Sequence, residues 1–297
     1  MKIDVRQVAY YNFFGNGDLH YSREFVKFFC QKLSFASTYT HIRCPHLLRD
    51  LPVTFLDKLP TTQRDPNSIG LYFEDPVLMF GTWIGQNRGS WLDANGCTIT
   101  NNYKMYERLA GIFEIKLLEE MEYIPTIDYS KYNTDGISIK KDKNILVCNG
   151  PCISGQARNF DMDTIVFNLA KKHPSCIFYV TQPVQTDINN IVDANSLIED
   201  KTKSNLNEIS YISTFCDIIV GRGSGPFCFT HVKQNLFDSN KTYIGFGNTE
   251  REINWVTMTD YNVPSRAKQL WNNTDYGCEE KVFNMIDEEI NAKFGNR

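Results

Sequence analysis

The stretch from Cys216 to His231, CDIIVGRGSGPFCFTH, constrains the fold of this chain more than any other. Its segment Ile218-Ile219-Val220 is apolar without alternation, so a strand here has both faces covered. Covered strands belong to parallel sheets with helices packed on each side. Glycines at 221, 223 and 225 follow at once. They let the backbone turn sharply and leave room for a ligand to approach. A helix opening beyond the turn presents N–H groups and a positive dipole end, which suit a phosphate. An ordinary strand-to-helix turn, with glycines for geometry, explains the same residues.

The same alternation runs through the chain in two blocks. Residues 8–14, VAYYNFF, read as a first strand, with Tyr10, Tyr11, Phe13 and Phe14 filling its two faces. Gly15-Asn16-Gly17-Asp18 breaks it, and Tyr21, Phe25, Phe28, Phe29 and Leu33 then keep the spacing of an amphipathic helix. Further strands are expected at Tyr39–Arg43 and Val77–Ile84, a loop over 57–70 and a helix over 102–121. Residues 122–143 lose the periodicity and gain Pro, Asp, Gly and Lys, as a linker does. The second block holds strands at Ile145–Cys148, Cys176–Thr181, Asp217–Val220 and Thr242–Phe246, with helices at Asp163–Lys172 and Asn205–Phe215. Asn205 with Glu208 has the form of a capping box, and Asp161-Met162-Asp163 at a helix start reads as capping. The pattern predicts an α/β chain with two Rossmann-like domains facing a cleft, the first over 1–125 and the second over 144–275. A linker over 126–143 joins them, and a C-terminal helix within 276–297 packs back.

The 297 residues suffice for two separate cores. A net charge of −4 argues against a dedicated duplex nucleic-acid binder, which relies on clustered Lys and Arg. Nine scattered cysteines without CxxC spacing read as reduced thiols of a reducing compartment, so a cytoplasmic location and no zinc site are expected. No apolar run is long enough for a transmembrane helix, and no secretory signal is expected. The oligomeric state is not legible.

From Asn205 to His231 the chain resembles the C-terminal signature of the heptosyltransferase-like (ADP-heptose:LPS heptosyltransferase) family of GT-B glycosyltransferases. The matching residues are Leu206, Glu208, Ile218 to Gly221, Ser224, Gly225, Pro226 and His231. The Gly15–Asp18 turn is similar to that family's N-terminal Gly-Asp turn, and Ser154-Gly155-Gln156-Ala157-Arg158 falls where the family has a basic residue near the donor phosphates. Gly223 stands where the family usually has Asp or Glu, Arg222 has no counterpart, and His231 lies later than the family's usual His.

The resemblance implies a glycosyltransferase moving a sugar from a nucleotide-sugar donor to a glycan or small acceptor hydroxyl. It implies inversion and no metal, with the nucleotide-sugar as co-substrate and no further cofactor. Asp18, with His20 beside it, then supplies the catalytic base, while helix capping explains Asp18 as well. Gly17, Ser154, Gln156, Arg158, Glu208, Arg222, Gly223, Ser224, Gly225 and Pro226 fall to the donor, and Trp83, Asn87 and Arg88 to the acceptor. Glu208 as a helix cap and Trp83 as core are the plainer readings of those two. A GT-B-shaped sugar-nucleotide epimerase, a pyruvyl-transferase-like enzyme and a non-catalytic nucleotide-sugar-binding module are the competing functions.

Overall fold

The computed structural model describes residues 4–13, 15–60, 70–83, 107, 109–118, 123–140, 143–153, 155, 157–200, 204–247, 265–273 and 278–295. Residues up to Thr126 form one compact unit, and the described residues from Ile127 onward form another. Both are built on mainly parallel sheets with helices, so the chain is α/β with two Rossmann-like units.

The first sheet has five strands: β1 (Gln7–Tyr11), β2 (Ala36–Thr40), β3 (Thr54–Leu56), β4 (Leu71–Glu74) and β5 (Val77–Gly81). Their spatial order is β3-β2-β1-β5-β4. All neighbours run parallel except β4, which closes the edge antiparallel to β5. Helices α1 (Asn16–Tyr21) and α2 (Arg23–Lys32) follow β1 and are joined by a turn at Ser22. The apolar stripe of α2 buries Phe25, Val26, Phe28 and Phe29, and Phe25 stacks on Tyr123 at 4.3 Å between ring centres. Arg23 of α2 also pairs with Asp50, with both side chains at 0% exposure, and donates to the Leu47 carbonyl.

The second sheet has six strands: β6 (Lys143–Cys148), β7 (Cys176–Val180), β8 (Ile191–Asp193), β9 (Ile218–Arg222), β10 (Thr242–Gly247) and β11 (Lys268–Asn273). The order is β11-β10-β9-β6-β7-β8, and every pairing is parallel. This is the doubly wound order, with its reversal between β6 and β9. The helices are α3 (Met162–Lys172), α4 (Leu206–Ser213), α5 (Gly225–Phe229), α6 (Lys233–Leu236) and α7 (Glu279–Phe294). Ile165, Val166 and Leu169 of α3, with Val282, Ile286 and Ile290 of α7, pack on Ile145, Val147, Ile218, Val220 and Ile244. Asp287 docks α7 to the end of α3, accepting from Lys172 at 2.8 Å and pairing with His173 Nε2 at 2.7 Å. The segment after Ile127 lies against α4: the Tyr129 hydroxyl meets Ser210 Oγ at 3.0 Å, and the Asn133 N–H donates to Glu208.

Several elements differ from the sequence expectation. Strands β1 and β5 end at Tyr11 and Gly81, so Phe13 does not fill a strand face but stands 52% exposed. Phe14 and residues 84–100 lie outside the described residues. The helix expected to reach 121 stops early. Residues 109–112 are helical, but Glu114 takes φ +54° and the Ile115 N–H bonds back to the Ala110 carbonyl, a left-handed exit. No helix among the described residues is long and apolar enough to cross a membrane. Asp50→Ala is expected to destabilise the first unit by about 3–5 kcal/mol, because it leaves Arg23 buried without its carboxylate. Chemical denaturation, with Trp or Tyr fluorescence as the readout, measures this, and a loss under about 1 kcal/mol refutes it.

Candidate functional site

Ligands of doubly wound sheets lie beyond the carboxyl ends of the strands, where the order reverses. In the second unit these are the ends of β6 and β9. Gly221 is needed at the end of β9 for packing: a Cβ there would come within 2.5 Å of the Phe227 ring of α5. The turn that follows is different. A Cβ on Gly223 would meet nothing within 4 Å. Ser224 is the N-cap of α5 but makes no side-chain cap bond, and Pro226 occupies the second helical position. Gly223 to Pro226 are half-buried between fully buried Arg222 and Phe227. The structure therefore brings Gly223, Ser224, Gly225 and Pro226 together at the crevice edge.

Asn149 organises the neighbouring end of β6. Its Nδ2 donates to Asp163 Oδ1 at 2.7 Å and to the Gln182 carbonyl at 3.0 Å, while its Oδ1 accepts from the Gln182 N–H at 2.9 Å. The loop beyond is closed by Asn159, which accepts from the Cys152 N–H at 2.7 Å and donates back to the Cys152 carbonyl at 3.2 Å. Gly155 at its tip takes φ +76°, a conformation that favours glycine. Arg158 is exposed on this loop, whereas Ser154 and Gln156 lie outside the described residues.

Three expectations for this unit change. Arg222 is no solvent-facing counter-charge. It is 2% exposed and donates to the carbonyls of Asn149 at 2.6 Å, Gly150 at 3.0 Å and Phe160 at 3.1 Å. The capping box of Asn205 and Glu208 does not form. Asn205 is the N-cap without a side-chain cap bond, and Glu208 accepts from Asn133 instead. One Glu208 oxygen, Oε2, is buried without a hydrogen-bond partner among the described residues. His231 is 1% exposed between the Phe227 and Tyr243 rings, where burial pushes its pKa down to about 3, so it is core. Asp161 does cap α3, accepting from the Thr164 N–H at 3.0 Å, while its neighbour Asp163 serves Asn149.

In the first unit the reversal falls between β1 and β5. A buried chain of polar groups spans it: Asn12 donates to Thr82 at 3.3 Å, Tyr39 meets Thr82 at 2.7 Å, and Ser22 meets Tyr39 at 3.0 Å. Asp18 lies in the first turn of α1 and is not its cap; Gly15 is. A Cβ on Gly15 would lie 3.1 Å from Asp18 Oδ2. Asp18 is half-buried, and loss of solvation pushes its pKa from 3.8 up to about 7, against the pull of its own N–H. Gly17 is half-buried beside it. His20 turns inward at 0% exposure, its ring 5.6 Å from that of Tyr21.

Trp83 is half-buried, while Asn87 and Arg88 lie outside the described residues. Register adds two residues that the sequence reading missed. Tyr11 pairs with Thr40 and with Gly81. The Asn12 N–H to Thr40 carbonyl and Thr82 N–H to Tyr11 carbonyl bonds carry both ladders one residue further. Phe13, Ile42 and Trp83 each stand two residues past the last paired row, beyond the carboxyl ends of β1, β2 and β5, with Phe13 52% and Ile42 86% exposed. The available signal was an apolar residue just past each of three strand ends.

No protein-family model matches the chain, and no curated protein matches it in sequence. Solved structures do match in fold. A glycosyl transferase family 9 protein from Veillonella parvula aligns over 98% of this chain and 90% of its own, with a TM-score of 0.50 at 13% identity. The E. coli heptosyltransferase WaaC, solved with ADP-2-deoxy-2-fluoro heptose, aligns over 95% of this chain and 99% of its own, with a TM-score of 0.48 at 8% identity. The likeness to the first supports the GT-B assignment of the fold.

Two outcomes follow from the geometry. Gly221→Ala is expected to destabilise the protein by about 1–3 kcal/mol, since the Phe227 ring is hemmed in by His231 and Tyr243; thermal denaturation measures it. Asp18 binds its proton more tightly folded than unfolded, so its stability contribution is present below pH 3.8 and lost as pH rises through about 7. Asp18→Asn is thus expected to stabilise the protein at pH 8 by on the order of 1 kcal/mol, discounted for partial solvation, with no such gain at low pH. Equal melting shifts at both pH values would remove the case for a raised pKa.

Proposed function

We propose that the protein is a glycosyltransferase that takes a nucleoside-diphosphate-linked sugar in its second unit. The observation that carries this reading is the meeting of the Gly223–Pro226 turn and the Asn149–Phe160 loop at the β6–β9 reversal. A glycine turn with open space, an exposed Arg158 on the adjoining loop and a parallel strand order suit a diphosphate. Glu208, with a buried unpartnered carboxylate oxygen, is an acceptor for ligand hydroxyls.

In the first unit we assign Asp18 as the general base. A carboxylate with a pKa near 7 is poised to take a proton at neutral pH. The acceptor O–H gives its proton to Asp18 as the new C–O bond forms at the anomeric carbon. The bond from that carbon to the diphosphate oxygen breaks, and the nucleoside diphosphate leaves with its electron pair. Attack from the face opposite the leaving group inverts the anomeric centre. Backbone N–H groups and Arg158 are assigned to the departing charge in place of a metal. Phe13, Ile42 and Trp83 are assigned to the acceptor, whose apolar or ring face they stack against. A cytoplasmic location goes with this reading; all eight described cysteines are free thiols.

A thermal-shift panel of UDP-, GDP-, ADP- and CMP-linked ligands tests the donor assignment. The true nucleotide, at a hundredfold excess over Kd, is expected to add roughly 2–3 kcal/mol, a melting shift of several degrees. Silence across the panel sinks the assignment. With the donor found, Asp18→Asn is expected to keep nucleotide binding while turnover falls by a factor on the order of a hundred to ten thousand. Full turnover in that variant moves the base elsewhere.

A further inference from the structure

Arg222 ends β9, paired with Phe246 of β10. Side chains two apart share a sheet face. Arg222 therefore lies on the face of Ile218 and Val220, under α3. It is 2% exposed, and it forms no ion pair among the described residues. Its Nε–H has no hydrogen-bond partner among them either. Burying an arginine this way is expensive, and apolar residues would fill the space at less cost.

What the guanidinium does is hold backbone. It binds the carbonyls of Asn149 and Gly150 at one end of the loop after β6, and that of Phe160 at the other. It also lies 4.9 Å from the Phe160 ring centre. Both ends of the 149–160 loop are thus tied to one side chain, whose own chain neighbour is the first residue of the Gly223–Pro226 turn. Loop and turn touch, for the Cys152 thiol donates to the Gly223 carbonyl at 3.8 Å. Here Nη1 serves Phe160 while Nη2 serves Asn149 and Gly150, and a lysine has the charge without that planar fork.

We propose that Arg222 is a positioning residue for the nucleotide site, a clamp that sets the spacing between the 149–160 loop and the Gly223–Pro226 turn. It acts on ligand binding through those backbones and does not touch the ligand. The proposal rests on the reading of this crevice as the donor site.

The test uses the full chain with Arg222→Lys and Arg222→Ala, and has one readout that needs no ligand. Cys152 is 3% exposed beneath the loop, so its alkylation by iodoacetamide, followed by peptide mass spectrometry, reports whether the loop lifts. Both variants are expected to label Cys152 at least about tenfold faster, the factor set by losing charge-assisted hydrogen bonds. UDP, GDP, ADP and CMP titrations are expected to show a similar loss of affinity for whichever nucleotide the wild type binds. Added guanidinium ion is expected to restore binding to Arg222→Ala and not to Arg222→Lys. If Arg222→Ala does not fold, Arg222→Lys decides.

Protected Cys152 in both variants overturns the clamp. So does fast labelling with unchanged nucleotide affinity. Lost affinity with Cys152 still protected assigns Arg222 to direct phosphate contact and also overturns it. A wild type that binds none of the four nucleotides overturns the donor reading and the ligand half of the proposal, while the Cys152 rates still decide whether the clamp exists.

Discussion

The second unit depends on the parallel pairing of β6 with β9, Ile145 to Cys148 against Ile218 to Gly221. Strands distant in sequence become neighbours there, and the helices that follow them leave on opposite faces of the sheet. After β6 the chain passes to α3 on one face, and after β9 to α5 on the other. The divergence opens a crevice that no side chain has to create. Both strands are apolar on both faces because both faces are covered. The polar residues are confined to the ends, where Asn149 and Arg222 take up the backbone groups that the diverging chain leaves unpaired.

The first unit repeats the device with different chemistry. Its reversal between β1 and β5 is closed by hydroxyls and an amide, Ser22, Tyr39, Thr82 and Asn12. Uncharged groups bring no net positive charge to a nearby carboxylate, and that difference bears on Asp18. Loss of solvation raises its pKa, opposed by its own N–H. A carboxylate beside a guanidinium would titrate lower and be a weaker base. Arg23 is close in sequence, yet it is committed to Asp50 and the Leu47 carbonyl. The buried ion pair thus anchors the helix and occupies that positive charge.

Much of this was legible in the sequence because it rests on long apolar runs. The strands at 145–148, 218–220 and 242–246, the helices after Asp163 and Glu279, and the α/β class all follow from burial on two faces or one stripe. Short edge elements escaped notice. Strand β8 has three residues and β11 reads KQLWNN, and both sit at sheet edges, where one neighbour suffices and composition is free. Side-chain roles were harder still. Asn205 and Glu208 match a capping box in spacing, but tertiary contacts with Asn195 and Asn133 outcompete the local bonds. His20 and Arg222 look like ligand groups in one dimension, since exposure is a property of the packed sheet and not of the motif. That Phe13, Ile42 and Trp83 follow neighbouring strands is known only once the strand order is.

Two buried cations in the second unit are solvated by carbonyls, and the contrast between them bears on function. Lys241, at the entrance to β10, donates to the carbonyls of Ser213, Thr214 and Cys216, so it caps the end of α4. Burial lowers its pKa, opposed in part by Cys216, Asp238 and Asp217. Two carboxylates thus bear on its charge, at the amino-terminal edge of the sheet. Arg222 is at the opposite edge. Among carboxylates, Asp163 bears on it, and Asp163 is itself engaged by Asn149. Carbonyls satisfy hydrogen bonds but leave net charge in place, and in a low-dielectric interior that charge is felt over several ångströms. The half-exposed Gly223–Pro226 turn is the next piece of chain. A positive potential at the mouth of a glycine turn favours an anion without a contact. The same side chain can therefore hold the crevice open to the right width and bias what enters it.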